Sequence, residues 1–130
     1  KTERVLRETD GTVTIFSNPR LMPGHVLVIP KRHVERLSEL DDAERKEFFV
    51  EAIAVQEKIL SEIASGCDMN QHFRPFIEQN RLKVNHLHIH VQPRGFEDEL
   101  YTKVQKFQKD VFQDLEEGEF ERFRKIFFGD

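Results

Sequence analysis

The sequence predicts an α+β fold: a sheet of about five strands, one long helix and a C-terminal helical extension. Three observations carry that prediction. Short runs of β-branched and aliphatic residues, punctuated by turn dipeptides, occupy residues 4–29 and recur at 67–71 and 82–91. A stretch with helix signals at both ends lies between them, at residues 40–65. After Gly95 the composition shifts to charge and phenylalanine, with apolar residues at helical spacing.

Taken in order, Arg4 to Glu8 and Thr12 to Phe16 read as strands joined by Thr9-Asp10-Gly11, because Asp-Gly between extended runs is a hairpin signal. Asn18-Pro19 and Pro23-Gly24 mark the next segment as a loop. His25 to Ile29 is apolar on both faces and stopped by Pro30, which predicts a strand central in its sheet. Leu40 to Ser65 is the long helix. Asp41 and Glu44 have capping-box spacing, Gly66 stands where a C′ glycine belongs, and Phe49, Ile53, Gln56, Leu60 and Ile63 form the stripe expected to cover the sheet. Cys67 to Gln71 makes a fourth strand, and Leu82 to Val91 a fifth, ended by Pro93. Leu100, Val104, Phe107, Val111 and Leu115 predict an amphipathic helix, which Gly118 breaks before a shorter one through Phe127.

Composition sets outer limits on function. No run approaches the roughly 20 apolar residues of a membrane span, and the opening KTERVLRETD lacks a signal-peptide core. The chain opens on Lys1 rather than methionine, which leaves upstream residues open. The lone Cys67 excludes an intramolecular disulfide and fits a reducing compartment, so a cytoplasmic location is expected. A net charge of −4 argues against a nucleic-acid-binding module but not against a nucleotide cleft, where a few local cations suffice.

Half of the six histidines lie within five residues, at His86, His88 and His90. On a strand this spacing puts all three imidazoles on one face. Clustering groups that can share a charge is costly without a purpose. One reading is a zinc site, but His86 and His90 stand about 13 Å apart along a strand, so one ion takes two of them easily and strains to take the third. The other is nucleophilic catalysis at phosphorus. A neutral imidazole attacks, an acceptor on its other nitrogen fixes the tautomer, and flanking imidazoles donate to phosphate oxygens. That reading uses all three clustered histidines and no metal or other cofactor.

The segment His86-Leu-His88-Ile-His90-Val-Gln resembles the His-φ-His-φ-His-φ-φ signature of the histidine triad (HIT) superfamily. Upstream, Pro23-Gly-His-Val-Leu-Val-Ile-Pro-Lys-Arg-His33 resembles the family's Pro-Gly-His-x-Leu-Val-x-Pro-Lys-x-His. The resemblance spans about Val13 to Arg94, the core of a single domain over residues 1–130, with 97–130 as its helical extension. It implies a half-barrel α+β fold with a HIT-like antiparallel sheet, usually a homodimer, acting on nucleoside phosphates, a purine nucleoside phosphate among them. By the family's pattern His88 is the nucleophile, the His86 carbonyl orients it, His90 bonds near the scissile oxygen and His25 completes the network. Asn18, or Ser17 with a one-residue shift, corresponds to the ribose contact. Phe16 is expected to line the base pocket, and Asn70 corresponds to the amide residue before the histidine loop.

Where the family commonly has Gly-Gln-Ser/Thr-Val, this chain has Arg81-Leu82-Lys83-Val84, and Lys83 could meet phosphate as a point charge. His33 matches a family position without a chemical role, and His72 reads as a loop residue. The resemblance thus implies a hydrolase that cleaves phosphoanhydride or phosphoramidate bonds at the α-phosphate through a nucleotidyl-histidine. A nucleotidyltransferase or phosphorylase using the same intermediate and a non-catalytic nucleotide-binding module are the alternatives.

Overall fold

The structure is a computed structural model and describes residues 4–79, 85–104 and 112–129. Five strands form one antiparallel sheet in the order β1-β2-β3-β5-β4. They are β1 (Val5–Glu8), β2 (Thr12–Phe16), β3 (Val26–Pro30), β4 (Gly66–Asn70) and β5 (Ile89–Arg94). Helix α1 (Asp42–Glu62) packs on one face of the sheet, while α2 (Glu99–Val104) and α3 (Glu119–Phe128) follow it. Among the described residues no helix is long and apolar enough to cross a membrane. The doubly apolar β3 sits at the centre of the sheet, as its composition requires.

Cross-strand register sorts the side chains onto two faces. Phe16, Val26, Val91 and Met69 lie opposite one another in one row, and Val26 and Val91 are buried beneath α1. The adjacent row runs Val5, Ile15, Leu27, His90 and Asn70 on the other face. Phe48, Ala52 and Ile59 of α1, with Val55 partly buried beside them, meet the first face.

The helix therefore buries a different stripe from the one its sequence predicts. Phe49, Ile53, Leu60 and Ile63 are exposed, whereas Phe48, Ala52, Val55 and Ile59 step by four, three and four into the core. Apolar residues nearly encircle this helix, so periodicity alone cannot select the face. The start of α1 matches the expectation: the Asp41 carboxylate accepts from Glu44 N–H (2.8 Å) and Glu44 accepts from Asp41 N–H (2.9 Å). Its end does not, because Ile63 is the C-cap and Gly66 opens β4 instead. A Cβ on Gly66 would stand 3.1 Å from the Arg94 carbonyl oxygen, which is the close approach that glycine allows. One side chain of α1 ties it to the hairpin, as Glu47 accepts from Gly11 N–H (2.8 Å) and from the Thr9 hydroxyl.

Three further expectations are corrected. Strand β5 begins at Ile89, not Leu82, because Leu87 N–H bonds Val34 O (2.7 Å) in the loop after β3 and draws the chain out of the ladder. Pro93 lies within β5 rather than ending it; past Val91 the strand pairs only with β4, where a residue without N–H is tolerated. The helix expected to run from Leu100 to Leu115 is helical only to Val104 among its described residues, and 112–116 are not helical. Gly118, at φ 81°, caps the start of α3.

The burial pattern gives a direct check. Phe48→Ala should cost about 3–5 kcal/mol and Phe49→Ala about 1 kcal/mol or less, read from urea unfolding midpoints. Equal losses would show that the assigned helix face is wrong.

Candidate active site

The turn before β3 sets the site. Met22, Pro23, Gly24 and His25 form a turn closed by His25 N–H to Met22 O (3.0 Å). Proline stands second and a residue at φ 85° third, the type II arrangement that glycine suits. A Cβ on Gly24 would come within 3.0 Å of Pro93 Cγ, so the turn is packed directly on β5. Ser17 N–H bonds His25 O (2.9 Å), which closes the loop at its base.

This turn buries His25 and presents Nδ1 to the Leu21 N–H at 3.1 Å. His25 Nε2 lies 3.0 Å from His90 Nδ1, His90 Nε2 lies 3.2 Å from His88 Nε2, and His88 Nδ1 lies 2.7 Å from the His86 carbonyl oxygen. The two ends of this chain determine every proton in it. A backbone N–H can only donate, so His25 Nδ1 accepts and its Nε2–H donates to His90 Nδ1. His90 must then carry its proton on Nε2 and donate to His88 Nε2. His88 carries its proton on Nδ1 and donates to His86 O, which can only accept. Both directions agree, and His88 Nε2 is left holding the lone pair.

Burial and the proximity of His88 push the pKa of His25 down to about 4, and the same two causes, with His25 and His72, lower His90 to about 4. His25 and His90 are therefore neutral at pH 7. That is the state the proton assignments need, because a charged ring would donate from both nitrogens.

The His86 ring lines the same cavity as His25, His88 and His90 but stands outside this hydrogen-bond chain. Its Nε2–H donates to Pro30 O (2.8 Å), and its Nδ1 therefore accepts from His33 Nδ1–H (3.1 Å). The two rings meet edge to face. With Leu87 drawn to Val34, His86 precedes the strand, so only its carbonyl joins the His88 chain. His33, to which the sequence assigns no chemistry, holds the His86 ring in place.

A cavity of about 600 Å³ opens over this network, within the size range of small-ligand sites. His25, His86, His88 and His90 line it, together with Ser17 and Asn18. Its apolar wall is Ile15, Leu27 and Ile29, and Arg4 and Arg20 border it. Phe16 does not line it, since strand alternation puts Phe16 in the row on the helix side, and Ile15 stands where Phe16 is expected. Asn70 lies opposite His90 at the far end of the cavity-face row but is not among the lining residues. Lys83 falls outside the described residues.

The sequence reading misses His72. Its ring centroid lies 5.3 Å from that of His90, and burial, Arg74 and His88 lower its pKa. No local pattern marks it, because the loop after β4 brings it there. Ile15 had a usable signal, since it shares a strand face with Val13 and pairs with Leu27, two residues beyond His25. Among the described residues, no group of three or more His, Cys, Asp or Glu side chains is arranged to hold a metal ion.

Comparison with known proteins fits this geometry. The HIT domain family model matches residues 1–97, the portion that carries the sheet, α1 and every histidine described above. The chain belongs to the HIT family. It is 31% identical over 91 residues to the bis(5'-nucleosyl)-tetraphosphatase [asymmetrical] of Schizosaccharomyces pombe, covering 66% of this chain and 49% of that protein. It is 29% identical over 124 residues to the bis(5'-adenosyl)-triphosphatase of Dictyostelium discoideum, covering 92% and 82%. The chain thus spans about half the length of the first of these HIT relatives. A crystal structure of a HIT family protein from Bacillus subtilis shares the fold, with a TM-score of 0.70 at 22% identity, covering 94% of this chain and 83% of that one.

Neutral burial predicts acid sensitivity. In the unfolded chain His25 and His90 take up protons near pH 6.5; in the fold they resist until about pH 4. As pH falls from 6.5 towards 4 the unfolded state binds more protons, so stability present above pH 6.5 is lost through this window. Between pH 7 and pH 5 the loss should be smaller in His25→Gln than in wild type by about 1 kcal/mol in urea unfolding. Identical pH slopes would contradict neutral burial of His25.

Proposed function

We propose that this HIT protein hydrolyses nucleoside phosphates at the α-phosphate, with His88 as the nucleophile and a nucleotidyl-histidine as the intermediate. The observation that carries the reading is the lone pair on His88 Nε2, left there by the hydrogen-bond chain from Leu21 to the His86 carbonyl and facing the cavity. The names of two relatives support the substrate class, since both are hydrolases of dinucleoside polyphosphates.

In the free protein His90 Nε2–H occupies that lone pair. A phosphate oxygen entering the cavity offers His90 a charged and therefore stronger acceptor. The N–H swings to the phosphate and frees the nucleophile. Nε2 then attacks phosphorus, the N–P bond forms, and the bond to the leaving oxygen breaks with its electron pair. The His88 ring becomes cationic as it bonds, and its Nδ1–H donates to the His86 carbonyl, which stabilises that charge. Water attacks the adduct in the second step. The N–P bond returns its electrons to Nε2, and the water proton leaves with the nucleoside monophosphate or to solvent. Ile15 and Leu27 supply an apolar wall for the base, and Ser17 or Asn18 a polar contact for the ribose. Asn70 is proposed as a nucleotide-binding residue and Lys83 as a phosphate contact.

The active form in this proposal is a homodimer in the cytoplasm. The exposed Phe120, Phe123, Phe127 and Phe128 of α3 supply apolar surface for an interface, and sedimentation equilibrium reads the assembly.

His88→Ala should abolish turnover of a dinucleoside triphosphate while retaining nucleotide binding. His90→Ala should lower kcat by about 10²–10³-fold, the loss of one donor to the developing charge. Rapid base quench with nucleotide labelled at the α-phosphate, followed by peptide mapping, should place the label on His88. A label elsewhere, or normal turnover by His88→Ala, would overturn the proposal.

A further inference from the structure

A substrate with several phosphates brings several negative charges into this cavity, and His25 and His90 are neutral at pH 7. Permanent positive charge on the described cavity wall comes from Arg4 and Arg20. Arg4 Nη1 donates to the Phe16 carbonyl oxygen (3.2 Å), a neutral acceptor. Arg20 Nη1 bonds Glu99 Oε2 at 3.0 Å, and Glu99 also bonds Lys103 Nζ at 2.9 Å. Glu99 belongs to α2, beyond the sheet, and the start of that helix is held in place. Asp98 accepts from Arg94 Nε (2.6 Å), Gly95 N–H (3.0 Å) and Tyr101 N–H (2.9 Å), and Arg94 Nη1 reaches Asp68 of β4 (2.7 Å). A carboxylate is thus fixed beside a cavity arginine, in the position of an internal competitor for phosphate.

We infer that Arg20 is the contact for phosphates beyond the one His88 attacks, and that Glu99 holds Arg20 until those phosphates displace it. The inference rests on the proposed function for its substrate and adds a selectivity: leaving groups that carry phosphate over uncharged ones. The Arg20–Glu99 pair is part-exposed, with side chains 47% and 32% exposed, so exchanging one anion for another costs little in the protein. A triphosphate or tetraphosphate chain presents more charge than the single carboxylate it replaces. A nucleoside phosphoramidate with an uncharged amine leaving group has nothing to offer Arg20 and leaves the pair closed. Arg20 is then a binding residue, and Glu99 is a positioning residue that acts through it.

The test compares KM for a dinucleoside triphosphate and for a nucleoside phosphoramidate. Arg20→Ala should raise KM for the triphosphate by about ten- to a hundredfold and leave the phosphoramidate within about twofold. Glu99→Gln should lower KM for the triphosphate by about two- to fivefold. In the Arg20→Ala background Glu99→Gln should do nothing, because the competitor has lost its target. Equal effects of Arg20→Ala on both substrates, or none on either, would overturn the assignment of Arg20. A Glu99→Gln effect that persists without Arg20 would overturn the link between them. Calorimetry with ATP and with AMP on the same variants reads the contact without turnover: Arg20→Ala should weaken ATP and spare AMP. If wild type turns over neither substrate the proposed function fails, and the ATP–AMP comparison still decides the role of Arg20.

Discussion

One backbone amide, Leu21 N–H on His25 Nδ1, sets the protonation of three imidazoles in series, and the chemistry proposed for this site depends on it. A histidine is a nucleophile only at the nitrogen without a proton, and in solution the two tautomers of an isolated ring exchange freely. Here a fixed donor at one end and a fixed acceptor, the His86 carbonyl, at the other leave a single arrangement of protons along the chain. The tautomer of the proposed nucleophile, His88, is thus tied to the loop before another strand. Each link is an ordinary hydrogen bond, and loss of the His86 carbonyl contact together with the Leu21 end would let His88 carry its proton on the wrong nitrogen.

The fold can be read as what holds those two ends still. The Pro23-Gly24 turn fixes His25, and Gly24 can pack on Pro93 because it has no side chain. Leu87 N–H on Val34 O and the His33–His86–Pro30 contacts fix the other end. Between them His90 lies opposite Leu27 in the middle of the sheet, backed by the core that α1 covers. Burial does double service: it stabilises the sheet and keeps His25 and His90 neutral, as the proton chain requires. The same burial makes the site acid-sensitive.

Local chemistry was legible in the sequence, and arrival from a distance was not. Asp-Gly at the hairpin, the Asp41–Glu44 capping box, the double-sided apolarity of β3 and the Pro-Gly turn are short-range signals, and each marks its element. Spacing marks His86, His88 and His90, the resemblance of its segment to the HIT family's marks His25, and the structure brings all four to one cavity. The errors have a common cause. Phe49 and Phe48 both lie on plausible helical stripes, and only the docked sheet chooses between them. Strict alternation put His86 within β5, whereas a contact of Leu87 with Val34 leaves it ahead of the strand. His72, Arg20 and Glu99 reach the site by loop path and helix placement, which no window of sequence records.

The most direct measurement is the ¹⁵N chemical shift of each histidine ring nitrogen in the free protein at pH 7, resolved through two-bond couplings to the ring protons. The hydrogen-bond chain predicts a protonated Nε2 and bare Nδ1 for His25 and His90, with the reverse for His88. A His88 ring protonated at Nε2, or a charged His90 at that pH, would contradict it.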